Sequence, residues 1–170
     1  MRFYYQTLFI FCLLLTTHFS QSQQTPFATL FNNEVNNFSE QNSDLLIDPR
    51  NNKILIAGLD GILVYNGAQW ERIAISKNAK ANATAVSSLA YDPTSQRIYF
   101  GGYNCFGYLT FDEKKGYQYV LLSEQILPKS SNKLDYVYDI FFDGTSIFFN
   151  TRNGKVYEID KKKQKLLNIT

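Results

Sequence analysis

One pattern in this chain occurs three times, and it restricts the fold more than anything else in the sequence. Leu46–Gly58 (LIDPRNNKILIAG) and Ala90–Gly102 (AYDPTSQRIYFGG) align without a gap at an offset of 44, Ile54 falling on Ile98. The Asp-Pro pair, the basic residue before the apolar run, the Ile and the closing Gly coincide, and Val64 falls on Tyr108. A third copy, Ile140–Thr151 (IFFDGTSIFFNT), follows at an offset of 49 from Ile98 to Ile147, with the loop shortened to Asp143-Gly144. At that offset Val156-Tyr157 matches Gly107-Tyr108. Self-similarity at this period is the mark of a repeat architecture, in which each unit buries its apolar faces against its neighbours.

Each copy resolves into four short strands. The pattern predicts Ser43–Asp48, Lys53–Ala57, Ile62–Asn66 and Gln69–Ile75 in the first, and Val86–Tyr91, Arg97–Gly101, Phe106–Phe111 and Gln118–Leu122 in the second. In the third it predicts Tyr136–Phe142, Ser146–Asn150, Lys155–Asp160 and Lys165–Thr170. Asp60-Gly61, Asn66-Gly67, Asp143-Gly144 and Asn153-Gly154 carry hairpin chemistry, since such pairs accept the positive φ of a type I′ turn. The second strand of each copy (Ile54-Leu55-Ile56, Ile98-Tyr99-Phe100, Ile147-Phe148-Phe149) is apolar at consecutive positions. A half-wet sheet would alternate, so these strands are expected to be covered on both faces. Parallel sheets also bury both faces, but need crossovers that tight turns cannot supply.

Four-stranded units of about 40–45 residues describe an all-β fold, a β-propeller. Its divisions are 43–80 for the first blade, 81–124 for the second and 125–170 for the third, with 23–42 as lead-in. Three blades do not close a ring, so the chain is expected to be the start of a longer protein or a truncated gene product, an incomplete propeller; a solenoid of stacked sheets is the alternative.

Residues 1–22 are set apart as a secretory signal peptide. Arg2 gives the positive start, Leu8–Leu15 (LFIFCLLL) the apolar core and Ser20-Gln21-Ser22 the small-residue cleavage site; an uncleaved anchor is the competing reading. The only histidine, His18, lies inside this segment, and Cys105 is the only cysteine beyond it. A mature chain so composed has no intramolecular disulfide, no Cys/His zinc site and no Ser-His or Cys-His nucleophile pair. A net charge of +2 is too balanced to argue for nucleic acid or an anionic membrane.

Gly58–Trp70 (GLDGILVYNGAQW) resembles the G-x-x-G-L-x-x-[FY]-[DN]-G-x-x-W pattern of two-component-regulator propeller repeats. Gly101–Leu109 (GGYNCFGYL) with Tyr119–Ser123 (YVLLS) is similar to a second repeat of that family, and the likeness runs over about Asn42–Asp160. Ala57-Gly58-Leu59 and Asn150-Thr151 depart from its usual aromatic and Gly-Thr or Gly-Asn after the second strand. The resemblance implies a periplasmic sensor propeller of Bacteroidetes-type hybrid histidine kinases or helix-turn-helix regulators. In that setting the chain is the extracytoplasmic part of an inner-membrane protein, a homodimer when complete. Its partners would be a small-molecule or oligosaccharide ligand, the rest of its own propeller and downstream signalling domains. No direct nucleic-acid contact, cofactor, metal or catalytic residue is expected of this segment.

The residues proposed for ligand contact are Tyr103, Asn104 and Phe106 beside a turn, and Tyr136 and Tyr138 leading into the third blade, because ring faces pack on pyranose faces. Filling the tapering space between blades is the competing role for the same rings. Trp70 reads as a packing anchor between blades. Asp48, Asp92, Asp143 and Asp160 could pair for glycoside hydrolysis but suit turns that they bond themselves; no D-x-D-x-D spacing suggests calcium. Lys161-Lys162-Lys163 reads as a solvated hairpin tip, Cys105 as a small buried hydrophobe, and the sequons at Asn37, Asn82 and Asn168 as chance. A propeller-type polysaccharide-processing enzyme and a secreted adhesion or scaffold propeller are the rival functions.

Overall fold

The computed structural model describes residues 38–39, 41–76, 83–127 and 134–170. The signal-peptide segment, all of the lead-in before Phe38, and the sequons at Asn37 and Asn82 lie outside the described residues.

Twelve strands form three four-stranded antiparallel sheets. The first contains β1 (Asn42–Ile47), β2 (Ile54–Gly58), β3 (Gly61–Tyr65) and β4 (Trp70–Ile73). The second contains β5 (Val86–Asp92), β6 (Arg97–Gly102), β7 (Cys105–Asp112) and β8 (Gly116–Leu121). The third contains β9 (Val137–Phe142), β10 (Ser146–Thr151), β11 (Val156–Asp160) and β12 (Lys165–Ile169). Every strand lies in sequence order within its sheet. A short helix, α1 (Leu122–Ile126), sits at the junction between the second and third repeats and had no counterpart in the sequence reading.

The turns differ from expectation. Gly61, Gly67 and Gly154 have positive φ, while Asp60, Asn66 and Asn153 do not, and Gly144 does not either. A type I′ turn needs positive φ at both central residues, so these connections are of other types. In place of that backbone geometry, side chains close the turns. Asn66 Oδ1 accepts from the N–H of Ala68 and Gln69, and Asp143 Oδ1 accepts from those of Thr145 and Ser146.

The register of the third copy also needs correction. Phe100 pairs with Gly107, and its counterpart Phe149 pairs with Tyr157. Tyr157 therefore corresponds to Gly107 and Val156 to Phe106, one residue away from the alignment at constant offset. The β10–β11 hairpin is one residue longer than the β6–β7 hairpin. Side chains alternate along a strand, so a one-residue slip exchanges the two faces. A repeated irregularity supports the equivalence: the first strand of each sheet carries a bulge at Ser43, Ser87 or Tyr138.

The alternation of β6 shows how the sheets stack. Ile98 and Phe100 belong to the apolar cluster shared with the first sheet, and Tyr99 to the cluster shared with the third. All three are buried, and the burial of Ile98 and Phe100 is worth about 1.5–3 kcal/mol each. The second sheet is thus covered on both faces, as the consecutive apolar run predicted. On β2 and β10 the pattern alternates instead: Leu55 and Ala57 are buried beside half-buried Ile54 and Ile56, and Ile147 and Phe149 beside half-buried Phe148. Leu45 and Ile47, paired with Ile56 and Ile54, are exposed on the face turned from the second sheet. Trp70 pairs with Tyr65 on that same outer face, rings 4.6 Å apart, so it does not anchor the first sheet to the second. Cys105 is buried in the first cluster.

Candidate functional site

At one end of the strands, the turn between β6 and β7 meets the approach to β9. Tyr103 and Tyr136 form an isolated antiparallel bridge there, with ring centroids 4.9 Å apart and planes at 46°. The backbone is held in a demanding conformation. Asn104 and Asp135 have φ of 56° and 59°, in the left-handed region that only a few per cent of non-glycine residues adopt, Asn and Asp more readily than most. The Asn104 N–H donates to the Asp135 carbonyl at 2.9 Å, and Asn104 Oδ1 accepts from the Leu134 N–H at 3.1 Å. Thr84 Oγ1 donates to the Tyr103 carbonyl at 2.9 Å. The Asn104 bonds tie the second sheet's turn to the approach to β9, and the Thr84 bond ties it to the approach to β5.

The longer β10–β11 hairpin adds the charge. The Arg152 N–H donates to the Tyr136 carbonyl at 2.8 Å, and the guanidinium carbon lies 5.1 Å from the Tyr136 ring centroid. Asp135 takes the guanidinium edge-on, with Nη2 3.0 Å from Oδ1 and Nε 3.4 Å from Oδ2. An exposed pair of this kind contributes at most about 1 kcal/mol to stability; Arg152 is 65% exposed. Tyr103, 51% exposed, completes an aromatic surface flanked by one donor-rich and one acceptor group.

Of the five residues proposed for ligand contact, three meet here: Tyr103, Asn104 and Tyr136. Asn104 acts through the backbone it shapes. Phe106 is a correction: it is wholly buried, stacked on Phe149 at 4.2 Å and 17°, because β7 turns it into the seam between the second and third sheets. Tyr138 is exposed, but occupies the bulge of β9 beyond buried Val137. The sequence reading missed Asp135 and Arg152; Arg152 stands at the same offset of 49 from Tyr103 as Ile147 from Ile98, and that match was the signal that could have pointed to it.

The carboxylates lie at the opposite ends of the strands. Asp48 accepts from the Arg50 backbone N–H, Nε and Nη2 at 3.0, 2.8 and 2.7 Å, and from the Tyr117 hydroxyl of the second sheet at 2.6 Å. Burial pushes its carboxyl up, but the bonds from Arg50 and Tyr117 outweigh that and hold it below the usual range. Burial, then the bond to Asp48, pushes the Tyr117 phenol up. Asp92 repeats the pattern across the next seam. It accepts from Thr94, Ser95 and Lys161, whose Nζ lies 3.3 Å away, and it too ends below its ordinary value against the effect of burial. Lys161 is therefore no solvated tip residue: its side chain is 8% exposed and lies 5.0 Å from the centroid of Phe142. The turn roles of Asp143 and Asp160 stand as expected. Carboxylates committed in this way are poorly placed as general acids at neutral pH.

A shallow groove of about 540 Å³ lies elsewhere, between Ser76 and the Tyr119–Leu121 and Glu124-Gln125 stretches. Among the described residues no group of three or more His, Cys, Asp or Glu could hold a metal ion, and no helix is long and apolar enough to cross a membrane.

Fold and site together define an all-β repeat protein that presents an aromatic patch with one ion pair at a sheet-to-sheet seam. No family model and no curated protein matches the chain.

Proposed function

We propose that this chain is an extracytoplasmic ligand-sensing segment of a bacterial signal-transduction or transcription-regulating protein, built as part of a β-propeller and recognising an oligosaccharide. The observation that carries the reading is the pairing of exposed Tyr103 with half-buried Tyr136 at a seam, joined to Arg152 and Asp135. Flat rings take the C–H faces of a sugar, and the ion pair offers groups for its hydroxyls. Three equivalent sheets favour the propeller, as do the exposed Leu45 and Ile47 on the first sheet and Phe141 on the third, which further sheets would cover. The likeness to two-component-regulator propellers supplies the sensor role, the periplasmic location, the downstream partners and the homodimer. Ligand binding across a seam would shift the population between two arrangements of neighbouring sheets.

The test is calorimetric titration of the full-length protein with plant and host oligosaccharides. At least one should bind, and Tyr103→Ala should weaken it at least tenfold. Binding untouched by Tyr103→Ala and Tyr136→Ala would remove the patch from the reading, and absence of saccharide binding would remove the ligand class.

A further inference from the structure

We infer that the Tyr103–Tyr136 patch selects an uncharged, hydroxyl-rich sugar ring over a carboxylated one. The inference rests on the saccharide reading above and concerns the charge of its ligand. Among the described residues Arg152 is the cation of the patch, and a guanidinium takes a carboxylate best through two parallel N–H groups. Here Nε and Nη2 already face Asp135. Asp135 Oδ1 accepts from Arg152 Nη2 and from the Tyr136 N–H at 2.8 Å, whereas among the described residues Oδ2 accepts only from Nε, at 3.4 Å. The patch therefore presents the remaining guanidinium N–H groups as donors and Oδ2 as an acceptor, side by side. A hydroxyl both donates and accepts, so neighbouring hydroxyls satisfy both groups, while a carboxylate only accepts. A carboxylated sugar would also bring its negative charge to Asp135.

The arrangement is built at this seam and not at the other. The positions equivalent to Tyr103, Tyr136 and Arg152 between the first and second sheets are Leu59, Ala85 and Tyr103. The equivalence follows from matching bonds: the Tyr103 N–H donates to the Ala85 carbonyl as the Arg152 N–H does to that of Tyr136. Those positions hold neither a ring pair nor a cation.

The full-length protein is titrated with maltohexaose, cellohexaose, xylohexaose, mannohexaose and arabinohexaose, and with hexagalacturonate and hexaguluronate. A neutral hexasaccharide should bind more tightly than either uronate. Asp135→Asn should weaken it about tenfold with the melting temperature unchanged, and Tyr103→Leu, which keeps an apolar surface side chain, should abolish it. A uronate that binds more tightly, and tighter still in Asp135→Asn, overturns the inference and leaves the saccharide reading intact. If neither series binds, both fall. Equal weakening by Asp135→Asn and a lower melting temperature would make Asp135 a structural residue and also overturn it.

Discussion

Between the first and second sheets the packing is aliphatic: Leu55, Ile62, Val64, Ile73, Ile75, Ile98 and Leu109 dominate, with Phe100 and Tyr117 as the buried rings. Between the second and third it is aromatic, built on Tyr99, Phe106, Tyr108, Phe149 and Tyr157. The buried carboxylates differ in parallel. Asp48 draws its cation, Arg50, from its own turn and a phenol from the next sheet; Asp92 draws its cation, Lys161, from the next sheet. The same backbone repeat thus accepts two packing chemistries. Its glycines help at the crowded seam, where a Cβ on Gly101 would run into Val137. What both seams keep is a turn carboxylate reached by the outer hairpin of the following sheet, which fixes how one sheet sits on the next.

The largest expected effect is in the aromatic seam. Phe149→Ala, which removes the ring stacked on Phe106, should cost about 3–5 kcal/mol in denaturant unfolding, against about 2–4 kcal/mol for Ile62→Ala, the like truncation in the aliphatic seam. Costs in the reverse order would erase the distinction. Next come the carboxylate contacts. Asp48→Ala, which strands part of a buried ion pair, should cost about 3 kcal/mol. Lys161→Met should cost about 2 kcal/mol, because Ser95 and Thr94 still serve Asp92.

Acid should expose the same contacts. Asp48 and Asp92 titrate below their ordinary value in the folded protein, whereas an unfolded Asp titrates near about 3.9. Below that pH the unfolded chain binds more protons than the folded one, so the stability these groups give is present above it and drains away as pH falls through their folded values. Unfolding measured from pH 6 down to 2 should show this loss, and Asp48→Asn with Asp92→Asn should flatten it. Asp143 and Asp160 are also lowered, chiefly by backbone N–H bonds, and should leave a residual slope. The smallest effect is expected at the patch: Arg152→Ala should change stability by less than about 1 kcal/mol while reducing ligand binding. A large stability loss there would make the ion pair a structural clamp like Asp92–Lys161.

Strand positions were legible because apolar runs and turn residues are local signals; all twelve fall within two residues of expectation at each end. The Asp turns were legible for the same reason. What escaped depended on distance. Phe106 and Tyr103 stand three residues apart on one hairpin, yet one is core and the other surface, and only the register of β7 decides which. Lys161 looked like one of three solvated lysines because its partner, Asp92, is 69 residues away. The extra residue in the third hairpin broke a constant-offset alignment beyond Arg152 and hid the register of Val156.

That extra residue has an effect on counting. Three near-equal units would ordinarily offer a small molecule a matching foothold at every junction, and saturation would need more than one equivalent. With the lengthened hairpin present in one unit alone, the described junctions are unequal, and a titration through Tyr103 and Tyr136 should reach its plateau at a stoichiometry of one per polypeptide.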